Sequence, residues 1–155
     1  MIFRNEWQFV ILGRLALVLT LLSATDIATH AETLDGSRIF VLDGDTVALP
    51  CSVPARGCAE KIRLRAIDAP ETLNAHCEAE LKAGLAAKQR LADLLRAGPV
   101  SVQRSGEIDR YGRSLGDLET PSGDASVVLV RERLALPYQP GSRAKASRIA
   151  HWCGR

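Results

Sequence analysis

The strongest constraint on this chain is how its apolar segments are interrupted. Residues 37–49, SRIFVLDGDTVAL, are rich in β-branched and apolar side chains and broken once, by Gly44. That pattern predicts two strand segments bent at the glycine, where a bulge or tight turn can re-aim neighbouring side chains. Residues 50–60 hold two prolines, a glycine and two cysteines and read as a loop. Residues 61–67 then alternate, with Ile62, Leu64 and Ala66 on one face and Arg63 and Arg65 on the other. Asp68-Ala69-Pro70-Glu71 ends this strand, because proline has no N–H to give to a central ladder.

From about Ala75 to Ala97 the period changes to that of a helix. Cys77, Leu81, Leu85, Ala92 and Leu95 form an apolar stripe widened by Leu91 and Leu94, with Asn74 as candidate cap and Gly98-Pro99 as stop. Strands are expected again at 100–104 and 114–119, on either side of a polar loop at 105–113. A turn at 121–123 leads into a short helix, Ala125–Leu134, with Val127, Val130 and Leu134 as its inner face. A third helix is expected near 142–152. The order is strands, helix, strands, helix, helix, without the alternation of a parallel sheet. An α+β, mainly β chain forming a small barrel with flanking helices fits that order.

The first 31 residues stand apart. Arg4 and Arg14 precede the apolar run Leu15–Leu22, and Ala28-Thr-His-Ala31 supplies small residues, the layout of a secretory signal. The run is short for a membrane span, and Asp26 follows closely; an uncleaved anchor is the alternative. Residues 1–31 are therefore read as a signal peptide and 32–155 as one domain, exported to the periplasm or the medium and without stable membrane association. The signal's two basic and two acidic residues cancel, so the formal charge of +2 belongs to the domain. So small a charge excludes general attraction to polyanions and leaves any such binding to local clusters. The cysteines are Cys51, Cys58, Cys77 and Cys153, an even count that suits an exported disulfide framework. Three pairings are possible. The favoured pairing is Cys51–Cys58, which would close a short loop, with Cys77–Cys153, which would tie a helix to the tail. A zinc site is the weaker alternative, because no C-x-x-C pair exists.

Three clusters concentrate charge: Asp43-Gly44-Asp45-Thr46; Arg63 with Asp68-Ala69-Pro70-Glu71; and Asp109-Arg110-Tyr111-Gly112-Arg113. Each alone has a bland explanation as a turn or a solvated strand face. Together they supply hard oxygen ligands for Ca²⁺ or Mg²⁺, forked guanidinium donors for phosphate, and a carboxylate, Glu71, able to orient or deprotonate a water. That combination suits phosphodiester hydrolysis.

The ordered set VLDGDTVAL, IRLRAIDAPE, DRYGR and LVRERLALPY resembles the thermonuclease, or staphylococcal nuclease-like, family from about Ile39 to Tyr138. The resemblance implies a five-stranded OB-type barrel with about three helices. It also implies Ca²⁺-dependent cleavage of DNA and RNA at the 5′ P–O bond, leaving 3′-phosphates, by a protein taken to be a monomer. By the same resemblance Arg63, Glu71 and Arg113 are catalytic, and Asp45, Asp68 and the Ala69 carbonyl hold the metal with support from Asp43. Arg110, Tyr111 and Tyr138 contact the substrate. Ala69 stands where threonine is commoner, Arg110 where lysine is frequent, and Arg133 where a glycine is common.

Two other functions compete. A non-catalytic OB-type nucleic-acid-binding module has no use for both arginines beside the acids, and it leans on aromatics, which make up only 5% of this chain. The chain also resembles thermonuclease-like proteins encoded with rhizobial exopolysaccharide (succinoglycan) biosynthesis genes, which would make it an accessory of polysaccharide production. A glycosidase, however, needs a carboxylate pair flanking a sugar, not acids accompanied by arginines.

Overall fold

The computed structural model describes residues 31–51 and 58–154; all but the last residue of the expected export signal, and the middle of the 50–60 loop, lie outside the described residues. Nine strands are present among them: β1 (Glu32–Asp35), β2 (Phe40–Asp43), β3 (Thr46–Ala48), β4 (Lys61–Leu64), β5 (Ile67–Asp68), β6 (Pro99–Ile108), β7 (Ser114–Thr120), β8 (Gly123–Asp124) and β9 (Leu136–Pro137). Three helices accompany them: α1 (Glu78–Arg96), α2 (Ala125–Arg131) and α3 (Ser142–Cys153). None of the described helices is long and apolar enough to cross a membrane.

The main sheet runs β1-β6-β7-β4-β3-β2, with β8 hanging on β7, and curls into a half-barrel of the OB type expected from the sequence. All its pairings are antiparallel except β4 with β7, which is parallel and sets Arg63 beside Leu115. Inside the curl, Val47, Ile62, Leu64, Val100, Val102 and Leu118 are fully buried against Leu91, Leu94 and Leu95 of α1 and Val128 and Leu129 of α2. Completely burying such side chains contributes about 1.5–3 kcal/mol each before entropy is charged against it.

Several elements differ from expectation, each for a physical reason. The strand expected over 61–67 breaks at Arg65-Ala66, where Ala66 is exposed and Ile67 takes the core position instead. β5 then pairs with β9 rather than with the main sheet. β6 continues through Ile108 into the segment expected to be a loop, because its outer half projects exposed side chains and so carries no alternating apolar signal. β1 joins the edge of β6, an addition to the expected strands.

The cap of α1 is Cys77, whose sulfur accepts from the Glu80 amide, and not Asn74. Its inner face is also rotated. Glu80, Gly84, Ala87, Leu91, Leu94 and Leu95 are buried, while Leu85 is 51% exposed. The helix presses its small residues against backbone: a Cβ on Gly84 would lie 2.7 Å from the Pro70 carbonyl oxygen and 2.9 Å from that of Glu71. One on Gly44 would meet the Cβ atoms of Ala69 and Ala87 at 2.7 and 2.8 Å. A stripe chosen by hydrophobicity misses this face, since close approach selects for absence of side chain. α2 likewise buries Ala125, Ser126, Val128 and Leu129 and leaves Val127 exposed. It ends at Arg131, short of Leu134, and Arg133 follows in the left-handed region at φ 61°.

Candidate active site

The first two charge clusters meet because of hairpin register. Asp43 pairs with Thr46, so Gly44 and Asp45 form the two-residue turn between β2 and β3. Thr46 in turn sits opposite Arg63 on β4, and the Asp45 carbonyl accepts from the Leu64 amide at 2.8 Å. Asp45 is thereby carried to the mouth of the half-barrel beside the arginine. Its side chain is buried; Oδ2 accepts from the Ala69 amide and Oδ1 from the Thr46 hydroxyl, both at 2.9 Å.

Arg63 lies between two buried acids. One terminal nitrogen is 3.1 Å from Asp45 Oδ2 and 3.2 Å from Asp68 Oδ1, while the other donates to the carbonyls of Leu64 and Ile67. The break at Arg65-Ala66 separates β4 from β5 and lets Asp68 of β5 face Arg63 of β4. The second oxygen of Asp68 is buried and faces one partner, Arg148 Nε of α3, at 2.5 Å.

Arg113 reaches the same mouth from the β6–β7 turn. Asp109 organises that turn, accepting from the amides of Tyr111 and Arg113 and from Arg113 Nε at 2.7 Å. Arg113 Nη1 then donates to the Thr46 hydroxyl at 3.1 Å, linking the third cluster to the first. Arg110 donates to the Tyr111 hydroxyl and lies 4.8 Å over its ring, with Arg113 at 5.4 Å, so the exposed tyrosine is flanked by two cations. Tyr138, 52% exposed, follows β9, and its amide donates to the Ala66 carbonyl. Every residue assigned to catalysis, metal or substrate from the sequence lines one open cleft of about 750 Å³.

Three carboxylates of this cleft, Glu71, Asp43 and Asp68, have raised pKa values. Burial, followed by repulsion from Asp43, Asp45, Asp68 and Glu80, raises the pKa of Glu71. Burial also raises Asp43, against a hydrogen bond from the Gly44 amide, and raises Asp68 in spite of Arg148 and Arg63. Burial is the leading cause in all three. Behind it, buried Glu80 accepts from the His76 amide at 2.6 Å and approaches His76 Nδ1 at 3.0 Å, pinning the segment that carries Glu71. Glu80 stays ionised: desolvation opposes it, but the hydrogen bonds from His76 outweigh that cost and lower its pKa.

The disulfides join Cys51 to Cys58 and Cys77 to Cys153, the pairing expected, and no described cysteine is free. The cluster of Cys77, Glu80 and Cys153 is therefore no metal site, its sulfurs being joined to each other. Arg65, to which the sequence reading gave no catalytic, metal or substrate role, pairs with Asp117. Arg148 was missed. It lies 80 residues from Asp68, and nothing local to the tail marks it.

A curled OB-type barrel carrying paired arginines over paired buried acids defines a class of phosphate-handling proteins. Residues 61–151 match the family model described as staphylococcal nuclease homologue, and the chain belongs to that family. It is also 35% identical over 113 residues to a protein named micrococcal nuclease from Shigella flexneri, covering 67% of this chain and 58% of that protein. The chain thus spans somewhat over half the length of that curated relative.

Proposed function

We propose that this protein is an exported, monomeric, Ca²⁺-dependent nuclease that hydrolyses phosphodiester bonds of DNA and RNA. Family membership and the name of the Shigella relative support nuclease chemistry; the observation that carries the reading is Arg63 between Asp45 and Asp68 with Arg113 on the same cleft.

In this reading Arg63 and Arg113 grip the non-bridging oxygens of the scissile phosphate. They neutralise charge as it grows on phosphorus, the role for which a forked, permanently charged donor is suited. Glu71 takes a proton from the attacking water, and its raised pKa makes it a better base than a free glutamate. Asp45, Asp68 and the Ala69 carbonyl are the donors for Ca²⁺, and Asp43 supports them. Their fit to a hard cation rests on all-oxygen chemistry and on two buried carboxylates, Asp45 and Asp68, brought together at the mouth of the cleft. The bound ion would supply charge stabilisation at the phosphoryl oxygens. Tyr111, Tyr138 and Arg110 line the path of the adjoining nucleotides, where exposed aromatic faces can stack on bases.

Residues 1–31 act as the export signal and 32–155 as the mature domain, a reading supported by the basic, apolar and small-residue layout of the N-terminus and by two disulfides. Sequencing the N-terminus of protein recovered outside the cytoplasm tests this; a start upstream of residue 20 refutes cleavage near Ala31. The nuclease reading is tested with purified protein on DNA and RNA in Ca²⁺, Mg²⁺ or EDTA, beside Arg63→Ala and Glu71→Gln. Cleavage that appears with Ca²⁺, vanishes in EDTA and is lost in both variants is expected. Absence of metal-dependent cleavage, or full activity in both variants, refutes it.

A further inference from the structure

Helix α3 contributes to the cleft although the sequence motifs that mark the cleft end at Tyr138. Arg148 and Lys145 lie three residues apart on one face of that helix, and both line the cleft facing Asp68 and Glu71. Three of the arginines lining the cleft, Arg63, Arg113 and Arg148, differ in how fully they are used. Arg63 has its terminal nitrogens committed to two carboxylates and two carbonyls. Arg113 is held by Asp109 and Thr46. Arg148 makes a single contact, from Nε to Asp68 Oδ2, and its terminal nitrogens have no partner among the described residues. A guanidinium carries five N–H donors, so Arg148 keeps nearly all of its capacity.

The helix holding it is weakly anchored by packing. α3 has twelve residues, buries none of them fully and has no side-chain cap. A helix of that length is marginal on its own in water. Its C-terminal end is instead bonded to the start of α1 through Cys77–Cys153, with Ile149 and Trp152 beside a small cavity that also touches His76 and Glu80.

We propose that Arg148 is a third phosphate-binding guanidinium of the cleft, and that the Cys77–Cys153 disulfide is what keeps it there. The inference rests on the nuclease reading and extends its substrate-binding surface to α3. On substrate binding the guanidinium exchanges its one-sided contact with Asp68 for the oxygens of a backbone phosphate beside the scissile one, a forked match that Asp68 Oδ2 does not provide.

The test uses the full chain and a fluorescently labelled single-stranded oligodeoxynucleotide. Binding is measured in EDTA over a range of salt, and cleavage in Ca²⁺. Arg148→Gln is expected to weaken binding about tenfold and to lower the salt slope by about one phosphate contact. With Ca²⁺ present it raises KM more than it lowers kcat. Arg148→Lys restores most of the salt slope, which a purely packing role would not. Cys77→Ser with Cys153→Ser reproduces the weakened binding while the barrel's circular dichroism persists, since the hydroxyl put in place of the Cys77 sulfur can still cap α1. Adding Arg148→Gln to that pair causes no further loss.

Binding of Arg148→Gln within about twofold of wild type, with an unchanged slope, overturns the proposal. Full binding by the double serine variant overturns the tethering half; if that variant unfolds, the glutamine and lysine variants still decide the role of Arg148. A wild type that cleaves DNA while Arg148→Gln binds normally defeats this inference alone. A wild type that neither binds nor cleaves defeats the nuclease reading, and this inference with it.

Discussion

Two arginines on this half-barrel each face two acids, with opposite consequences. On the outer surface Arg104 makes a forked contact to Glu60, at 3.0 Å from Nε and 2.7 Å from Nη2, and reaches Glu32 at 2.8 Å. That set is closed: the hydrogen bond from Arg104 leads the causes that lower the pKa of Glu60 and raise that of Arg104. At the cleft, Arg63 meets Asp45 and Asp68 one oxygen each, and burial still raises the pKa of Asp68. Surface pairs with good fork geometry neutralise each other and finish there. Buried acids that share one guanidinium nitrogen are not matched by a fork, and such a set has something left to offer a ligand.

The largest expected contrast lies between Glu71 and Glu60. Glu71→Gln removes the proton acceptor and should lower kcat by about 10²–10⁴-fold. Glu60→Gln should leave kcat within about twofold, because it touches only the surface network. Steady-state cleavage of one DNA substrate by both variants decides this, and equal losses would erase the distinction between the two sets.

The arginines themselves come next. Arg63→Ala should lower kcat/KM by about 10²–10³-fold, the usual cost of losing one preorganised group that stabilises transition-state charge. Arg104→Ala should change it by less than about threefold and lower stability by at most about 1 kcal/mol. If Arg104→Ala matches Arg63→Ala in activity with its fold intact, the closed set is not merely structural.

Much of this contrast was legible in the sequence, though not all. DGDT, Arg63 with DAPE, and DRYGR identify the cleft because each motif sits on a turn or strand end whose geometry is local. The broken strand at Arg65-Ala66 was hidden, because Ala66 continues the apolar alternation while the fold lets Ile67 take its place. The inner face of α1 was misjudged at Leu85 because proximity to the Pro70-Glu71 backbone selects Gly84 by size, and hydrophobicity does not register size. Arg148 and the Arg104 network depend on contacts dozens of residues apart, which one sequence does not encode locally.

Gly84 turns that lesson into a test. Gly84→Ala places a methyl against the Pro70 and Glu71 carbonyls, which can move only with the segment bearing the proposed base. Overpacking of this kind should cost about 1–3 kcal/mol, measurable by denaturant unfolding. Because the displacement falls on Glu71, activity under fully folded conditions should drop as well. A control at Gly123, where a Cβ would meet nothing but φ is +101°, should lose stability through backbone strain while sparing activity. Equal loss of activity in both would show that Gly84 acts on general stability and not on the cleft.

The smallest effect concerns how Glu60 responds to acid. Its folded pKa lies below its unfolded value, with the hydrogen bond from Arg104 as the leading cause. A carboxylate depressed on folding stabilises fully above its unfolded pKa and loses that contribution as pH falls through the folded one. Wild type should therefore exceed Glu60→Gln in stability at neutral pH by a few tenths to about 1 kcal/mol, and the gap should close below about pH 4. Asp68 has the opposite sign, since its folded pKa is raised: its ionised form opposes folding at neutral pH and that penalty fades as it is protonated. Unfolding curves for wild type, Glu60→Gln and Asp68→Asn across pH 3–7 separate the two behaviours. A gap for Glu60 that widens on acidification, or one for Asp68 that tracks it, would mean that both sets are closed and that burial at the cleft is fully compensated by its arginines.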